Sequence, residues 1–211
     1  MSLILGLLSS YLIGSIPTAF LLGKLTKGID IRKHGSGNVG ATNAFRVLGP
    51  YIGITVLVLD SLKGVIPTVI IADSILTQNP SFNSTILRII LGIAAVLGHS
   101  WTVFLQFKGG KGMATSLGVL IGLSLKIATL KYILVLEIAI WLVVFLISRI
   151  VSLASIVSAI LFPAFFILFK QDSALVIMSF LFAALALIRH KPNIYRLLQR
   201  KEPRLNFSKR Q

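Results

Sequence analysis

Lys131-Tyr132-Ile133-Leu134-Val135-Leu136-Glu137-Ile138-Ala139-Ile140-Trp141-Leu142-Val143-Val144-Phe145-Leu146-Ile147-Ser148 is an almost unbroken apolar run. A run of about 20 such residues spans a bilayer as a helix, which satisfies its own backbone polar groups where no water can. The same pattern recurs on both sides of it. Seven spans can be drawn, at roughly 2–23, 48–75, 85–106, 113–127, 131–148, 151–170 and 173–189. The 211-residue chain is 55% hydrophobic with a mean hydropathy of +0.92, more apolar surface than a soluble domain can hide. The expected fold is an all-α integral membrane protein of about seven transmembrane helices. Residues 1–190 are expected to form one polytopic domain, and 191–211 a basic cytoplasmic tail. The fourth span is short and interrupted by Gly118 and Gly122, a small-xxx-small pair that allows tilting, re-entry or close packing.

Charge sets the orientation. An odd number of spans puts the termini on opposite sides of the membrane. One side collects Lys24, Lys27, Arg32, Lys33, Arg46, Lys108, Lys111, Arg149 and the tail from Arg189 onward. The other has only Arg88, Lys126, Lys131 and Lys170, of which Lys126 and Lys131 fit least well. The positive-inside rule then places the N-terminus outside and the C-terminus in the cytoplasm. Anionic head groups account for the net charge of +15 more simply than nucleic acid does, because aromatics are not interleaved with the basic residues. The first span has no basic leader or small-residue cleavage site, so no secretory signal is expected. With no cysteine there is no thiolate nucleophile or Cys-based metal site.

This topology brings several polar loops to the cytoplasmic face. The first is His34-Gly35-Ser36-Gly37-Asn38-Val39-Gly40-Ala41-Thr42-Asn43, flanked by Asp30, Arg32 and Arg46. Glycines let backbone amides approach an anion, and successive N–H groups form an anion-binding nest. Ser36, Asn38, Thr42 and Asn43 add donors, and Arg32 and Arg46 add charge suited to phosphate. The second loop runs Lys108-Gly109-Gly110-Lys111-Gly112 and opens a helix, another place for phosphate. It is not a Walker A loop, because Gly112 follows Lys111 where Ser or Thr is required. Asp60 and Lys63, at i,i+3 inside span two, form an ion pair or face a polar cavity. Ser152 caps a helix unless its turn, 148–155, faces the shared site. In the tail, Pro192 suits a first helical turn, and His190, Asn193 and Arg196 follow at intervals of three.

Absences narrow the chemistry. The six carboxylates do not cluster, so a two-metal phosphotransferase is not expected. The His-x-x-x-x-Asp pair of common lipid acyltransferases is missing: Val39, Phe104 and Tyr195 stand five residues after the three histidines. Acyl transfer here would need a highly activated donor.

The chain resembles the bacterial acyl-phosphate:glycerol-3-phosphate acyltransferases of the PlsY family over nearly its whole length. Three blocks carry the resemblance. They are Asp30-Ile31-Arg32 through Asn43 with Arg46; Gly98-His99 through Phe107-Lys108-Gly109-Gly110-Lys111-Gly112 with Ala114-Thr115; and His190, Asn193-Ile194 and Arg196-Leu197 with Glu202. Gly14-Ser15-Ile16-Pro17, Asp60-x-x-Lys63-Gly64 and Arg149-x-x-Ser152 are similar too. Thr102 stands where the family usually has proline, and Arg200 where it usually has glycine.

The resemblance implies transfer of a fatty acyl group from acyl phosphate to the 1-hydroxyl of glycerol 3-phosphate, giving lysophosphatidic acid and phosphate in phospholipid biosynthesis. A mixed anhydride is already activated, so neither an enzyme nucleophile, a metal nor another cofactor is expected. Ser36, Gly37, Asn38, Gly40, Thr42 and Asn43 are expected to bind acyl phosphate. Arg46, Lys108, Lys111, Ser152, His190 and Asn193 are expected to bind glycerol 3-phosphate. Ser36, His190 and Asn193 are expected to take part in catalysis, while Asp60, Lys63 and Glu202 are structural. Partners would be the two substrates and membrane lipids, with no nucleic acid and no obligate protein, in the bacterial inner membrane. The rival reading is a transporter or channel for an organic phosphate, which requires polar residues to continue through the midplane.

Overall fold

The computed structural model describes residues 1–205, and every regular element among them is helical. They divide into two compact units, Met1–Leu130 and a second beginning at Lys131.

In the first unit α1 (Leu3–Ser15) and α2 (Thr18–Lys27) form a pair bent by 40°. The bend falls at Ile16-Pro17, where proline has no N–H to continue the ladder. The Ile16 carbonyl is taken instead by Lys63 Nζ at 2.5 Å and by the Thr18 amide at 3.0 Å. A short helix α3 (Ala41–Leu48) precedes α4 (Pro50–Ile66). That helix continues through a π turn, Pro67–Ile71, into α5 (Ala72–Gln78), 29 residues in all. α6 (Ser84–Ser100) and a 3₁₀ turn (Val103–Leu105) form the next long element, followed by α7 (Met113–Ser124).

Glycines set the spacing of these helices. A Cβ on Gly14 of α1 would stand 2.0 Å from the Ala95 carbonyl oxygen of α6. One on Gly118 of α7 would stand 1.8 Å from the Ser61 carbonyl oxygen of α4, and one on Gly122 1.9 Å from Thr68 Oγ1. The small-xxx-small pair in α7 is thus used for close packing. At one end of the unit Asp73 accepts from Arg88 Nη2 at 2.5 Å and Lys126 Nζ at 2.6 Å. Arg88 also donates to the Thr68 carbonyl in the π turn at 2.6 Å.

In the second unit α8 (Leu130–Ser148) is largely exposed along its apolar length and is clipped to α9 (Val151–Leu168) by two polar contacts. The Ser158 hydroxyl donates to Glu137, and Trp141 Nε1 donates to Ser155 Oγ at 3.2 Å. α10 (Ser173–Arg189) and α11 (Lys191–Leu198) meet at His190 with a bend of 61°. Pro192 lies in the first turn of α11, as its missing donor allows.

The seven expected spans come out as four elements long and apolar enough to cross a membrane, or six if each bent pair is one span. The fourth expected span forms only α7. Its 12 residues extend about 18 Å against a hydrocarbon core of about 30 Å. The helix starts at Met113 as expected, directly after Gly112 at φ 81°, and the turn at 125–129 ends it early. Residues 206–211 of the expected tail lie outside the described residues.

Candidate active site

The 36–43 loop rests on an apolar floor. Ile31, Val39, Ala44 and Leu48 are buried in one cluster with Ala19 and Val56. Leu105, three residues before Lys108, belongs to the same cluster, so the first glycine loop and the start of the second share a floor. α2 ends at Gly28 with φ 66°, and the Ile29 amide returns to the Gly23 carbonyl at 3.2 Å, a Schellman closure.

Inside the loop the organising residue is Asn43, buried to 2% exposure. Its Oδ1 accepts from the Ser36 amide at 2.9 Å. Its Nδ2 donates to the carbonyls of Asn38, His34 and Ile31 at 3.0, 3.1 and 3.3 Å. Two hydrogens serving three carbonyls require one shared bond. Gly35 must be glycine: its φ is 61° and a Cβ would stand 2.3 Å from Asn43 Oδ1. Ser36 is exposed, while Gly37, Asn38, Gly40 and Thr42 are half-buried around the N-terminus of α3. Arg46 lies one turn beyond Thr42 on α3.

Two expectations change here. Asn43 was expected to face acyl phosphate, but its amide is turned inward on the loop backbone, because a glycine-rich loop has few other means of closing on itself. Arg32 was expected to offer charge to phosphate, but it is paired with Asp30 at 2.7 Å and stacked 5.0 Å over Phe20. That guanidinium hydrogen bond holds the Asp30 carboxyl down at about 2.

The second loop folds back on the end of α6. The Gly109 amide donates to the Ser100 carbonyl at 3.2 Å, and the Gly110 amide to the His99 carbonyl at 3.0 Å. Gln106 and Phe107 supply the reversal with φ of 55° and 60°. Thr102, in the place of the family's usual proline, braces the turn: its hydroxyl donates to the Ser15 carbonyl at 2.5 Å and accepts from the Phe104 amide at 3.2 Å. Lys108 is exposed and Lys111 half-buried. Gly112 opens α7.

Below this loop, Asp60 and Lys63 pair at 2.5 Å with 1% and 6% side-chain exposure. Thr18 donates to Asp60 Oδ1 at 2.5 Å. Thr18 was not singled out from the sequence, and the only signal for it was its place after Pro17.

The second unit carries its own cluster. Ser152, in the first turn of α9, donates to Glu202 Oε1 at 2.7 Å, and Asn193 Nδ2 donates to the same oxygen at 2.6 Å. Arg196 Nε donates to Oε2 at 2.7 Å. Burial pushes the Glu202 carboxyl up, but these three donors together outweigh it and leave the group below the ordinary carboxylate value. Arg200, with φ 58°, turns the chain back so that Glu202 reaches the site. A left-handed conformation costs a non-glycine residue about 1–2 kcal/mol, which is why glycine suits that place. The Leu205 amide then donates to the Arg149 carbonyl at 2.7 Å. His190 is buried, with Nδ1 2.7 Å from the Ala186 carbonyl oxygen. A carbonyl only accepts, so Nδ1 carries the hydrogen, and in the neutral ring Nε2 carries the lone pair.

The structure thus brings Ser36, Gly37, Asn38, Gly40, Thr42, Asn43 and Arg46 together in one loop and helix start, with Lys108 and Lys111 on a loop sharing its floor. It brings Ser152 and Asn193 together on Glu202, with His190 at the head of the same helix.

Residues 4–200 match the family described as glycerol-3-phosphate acyltransferase. The chain belongs to that family. Among its relatives, the glycerol-3-phosphate acyltransferase of Desulforudis audaxviator is 43% identical over 208 residues, covering 98% of this chain and 96% of its own. That of Chlorobium phaeobacteroides is 42% identical over 235 residues, covering 98% and 97%. A crystal structure of PlsY (YgiH), an integral membrane glycerol 3-phosphate acyltransferase in its glycerol 3-phosphate form, superposes with a TM-score of 0.85. It is 39% identical and covers 98% of this chain and 96% of its own. A lysophosphatidic acid form of PlsY gives 0.83 at 38% identity. As a member of the glycerol-3-phosphate acyltransferases, the chain is an integral membrane acyltransferase. The transporter reading has no comparable support.

Proposed function

We propose that the protein transfers a fatty acyl group from acyl phosphate to the 1-hydroxyl of glycerol 3-phosphate, releasing lysophosphatidic acid and phosphate. The observation that carries this reading is the 36–43 loop, whose inward hydrogen bonds are met by Asn43 while Ser36 stays exposed. Such a loop suits an anion whose oxygens accept from Ser36, Asn38, Thr42 and the amides around Gly37 and Gly40. Preorganised donors aimed at a developing oxyanion are typically worth about 3–4 kcal/mol each. Arg46, Lys108, Lys111, Ser152, His190 and Asn193 serve glycerol 3-phosphate. The protein resides in a bacterial inner membrane with its N-terminus outside and its active site facing the cytoplasm, where the basic loops lie.

The step needs no enzyme nucleophile. The glycerol oxygen forms a bond to the acyl carbon, and the bond from that carbon to the phosphate oxygen breaks, its electron pair leaving with phosphate. The hydroxyl proton goes to the departing phosphate. Purified protein in detergent, given palmitoyl phosphate and glycerol 3-phosphate, is expected to release phosphate only when both are present. Release at the same rate without glycerol 3-phosphate, or none with both, would overturn the reading.

His190 orients the hydroxyl through Nε2. For His190→Ala, KM for glycerol 3-phosphate is expected to rise about tenfold or more, the loss of one hydrogen bond to a charged ligand, with kcat changed by less than about threefold. A kcat loss of about 100-fold at unchanged KM would make His190 the base instead.

A further inference from the structure

We infer that Asp60, Lys63 and Thr18 form a positioning cluster for the Lys108–Lys111 loop, acting through His99 and setting the affinity for glycerol 3-phosphate. The inference rests on the function proposed above and adds residues that touch neither substrate.

The geometry runs in three links. First, Asp60 is anchored: its Oδ1 accepts from Thr18 Oγ1 and Lys63 Nζ, both at 2.5 Å, while Lys63 is tied in turn to the Ile16 carbonyl at the break between α1 and α2. Second, the same Oδ1 lies 3.8 Å from His99 Nδ1, and Oδ2 is buried with no hydrogen-bond partner among the described residues. A buried carboxylate oxygen without a partner is uncommon in a well-satisfied interior. At 3.8 Å the imidazole is beyond a direct hydrogen bond but close to van der Waals contact, so the anchored carboxylate bounds the space the ring can occupy. Third, the opposite edge of the ring meets the loop. A Cβ on Gly110 would stand 2.2 Å from His99 Nε2, and the Gly110 amide already donates to the His99 carbonyl at 3.0 Å.

His99 therefore bounds the loop with both its ring and its main chain, and Asp60 faces the ring from the other edge. Gly110 is glycine because any side chain there would push against the imidazole. Lys111 is the next residue, so a shift of the ring displaces the backbone that carries it. Asp60 and Lys63 also neutralise one another, which lets a carboxylate sit beside the ring at 1% exposure without an uncompensated buried charge. The links traced from the cluster run through His99 to the second loop, so its main effect is expected on the ligand of that loop.

The test uses the full-length protein in detergent with two readouts. Hydrogen exchange over residues 106–112 reports the loop whether or not the protein transfers acyl groups, and kinetics report each substrate separately. His99→Ala, and the milder His99→Gln, are expected to raise exchange at Gly109 and Gly110 at least tenfold. KM for glycerol 3-phosphate should rise about tenfold, with KM for acyl phosphate unchanged and kcat within threefold. Asp60→Asn alone leaves Lys63 buried without its partner. The paired variant Asp60→Asn with Lys63→Met removes that penalty and is expected to fold, yet to show the same faster exchange and raised KM. Unchanged exchange in the His99 variants, or equal rises in KM for both substrates, would overturn the inference, as would a paired variant with wild-type exchange.

Discussion

Replacing Glu202 with alanine is expected to lower kcat/KM by about 100-fold or more. Three donors from three places in the chain converge on this one carboxylate: Ser152 and Asn193 on Oε1, Arg196 on Oε2. Without it Ser152 and Asn193, both buried, lose the acceptor that aims them. A misplacement of about 1 Å at residues that orient a substrate costs on the order of 100-fold in rate. Glu202→Gln keeps the shape but presents only one oxygen and places an amide against a donor, so it is expected to fall between alanine and wild type. The pH dependence has a definite sign. Because the folded-state value of Glu202 is depressed, its contribution to stability is fully present above the unfolded carboxylate value of about 4.3 and is lost as pH falls through the lower folded value. Thermal melts of wild type should therefore drop in acid more steeply than those of Glu202→Gln. A Glu202→Ala protein with activity within threefold of wild type would refute the positioning role.

The second large effect is expected at Asn43. Alanine there removes the acceptor for the Ser36 amide and the donor for three carbonyls, all in a loop with few other internal bonds. Activity is expected to fall about 100- to 1,000-fold, the range seen when preorganised donors are lost, together with a lower melting temperature. Asn43→Asp is expected to be worse than alanine. Aspartate keeps an acceptor for Ser36 but turns its second oxygen toward three carbonyls and brings negative charge into an anion site. A residue that merely touched acyl phosphate would behave differently: KM for that substrate would rise while kcat and melting temperature stayed put. Steady-state kinetics and detergent melts on the two variants separate these cases.

The apolar runs were legible because lipid selects on composition over a known length, and no long-range information is needed to see them. The breaks were harder. Whether Ile16-Pro17 ends a helix or bends it depends on who takes the freed carbonyl, and that is Lys63, 47 residues away. The 113–127 stretch is as apolar as its neighbours, yet a turn at 125–129 leaves it a short helix, which Gly118 and Gly122 pack closely on α4 and the π turn. At the site, glycine, serine and lysine gathered in two loops suggest phosphate binding, although the same residue types also make plain polar turns. Direction was not legible. Asn43 and Arg32 carry donors suited to a ligand, and only the fold shows them turned to the loop backbone and to Asp30. The convergence on Glu202 joins residues 50, 9 and 6 positions apart, a pattern no local spacing reveals.

Direct transfer between two bound substrates is the centre of this account, and a single experiment reaches it. The purified protein is mixed with excess acyl phosphate in the absence of glycerol 3-phosphate, quenched within one turnover time, and assayed for released phosphate and for intact mass. Direct attack predicts no phosphate burst and an unmodified chain. A burst equal to the enzyme concentration, with the mass of one acyl group added to the protein, would contradict it.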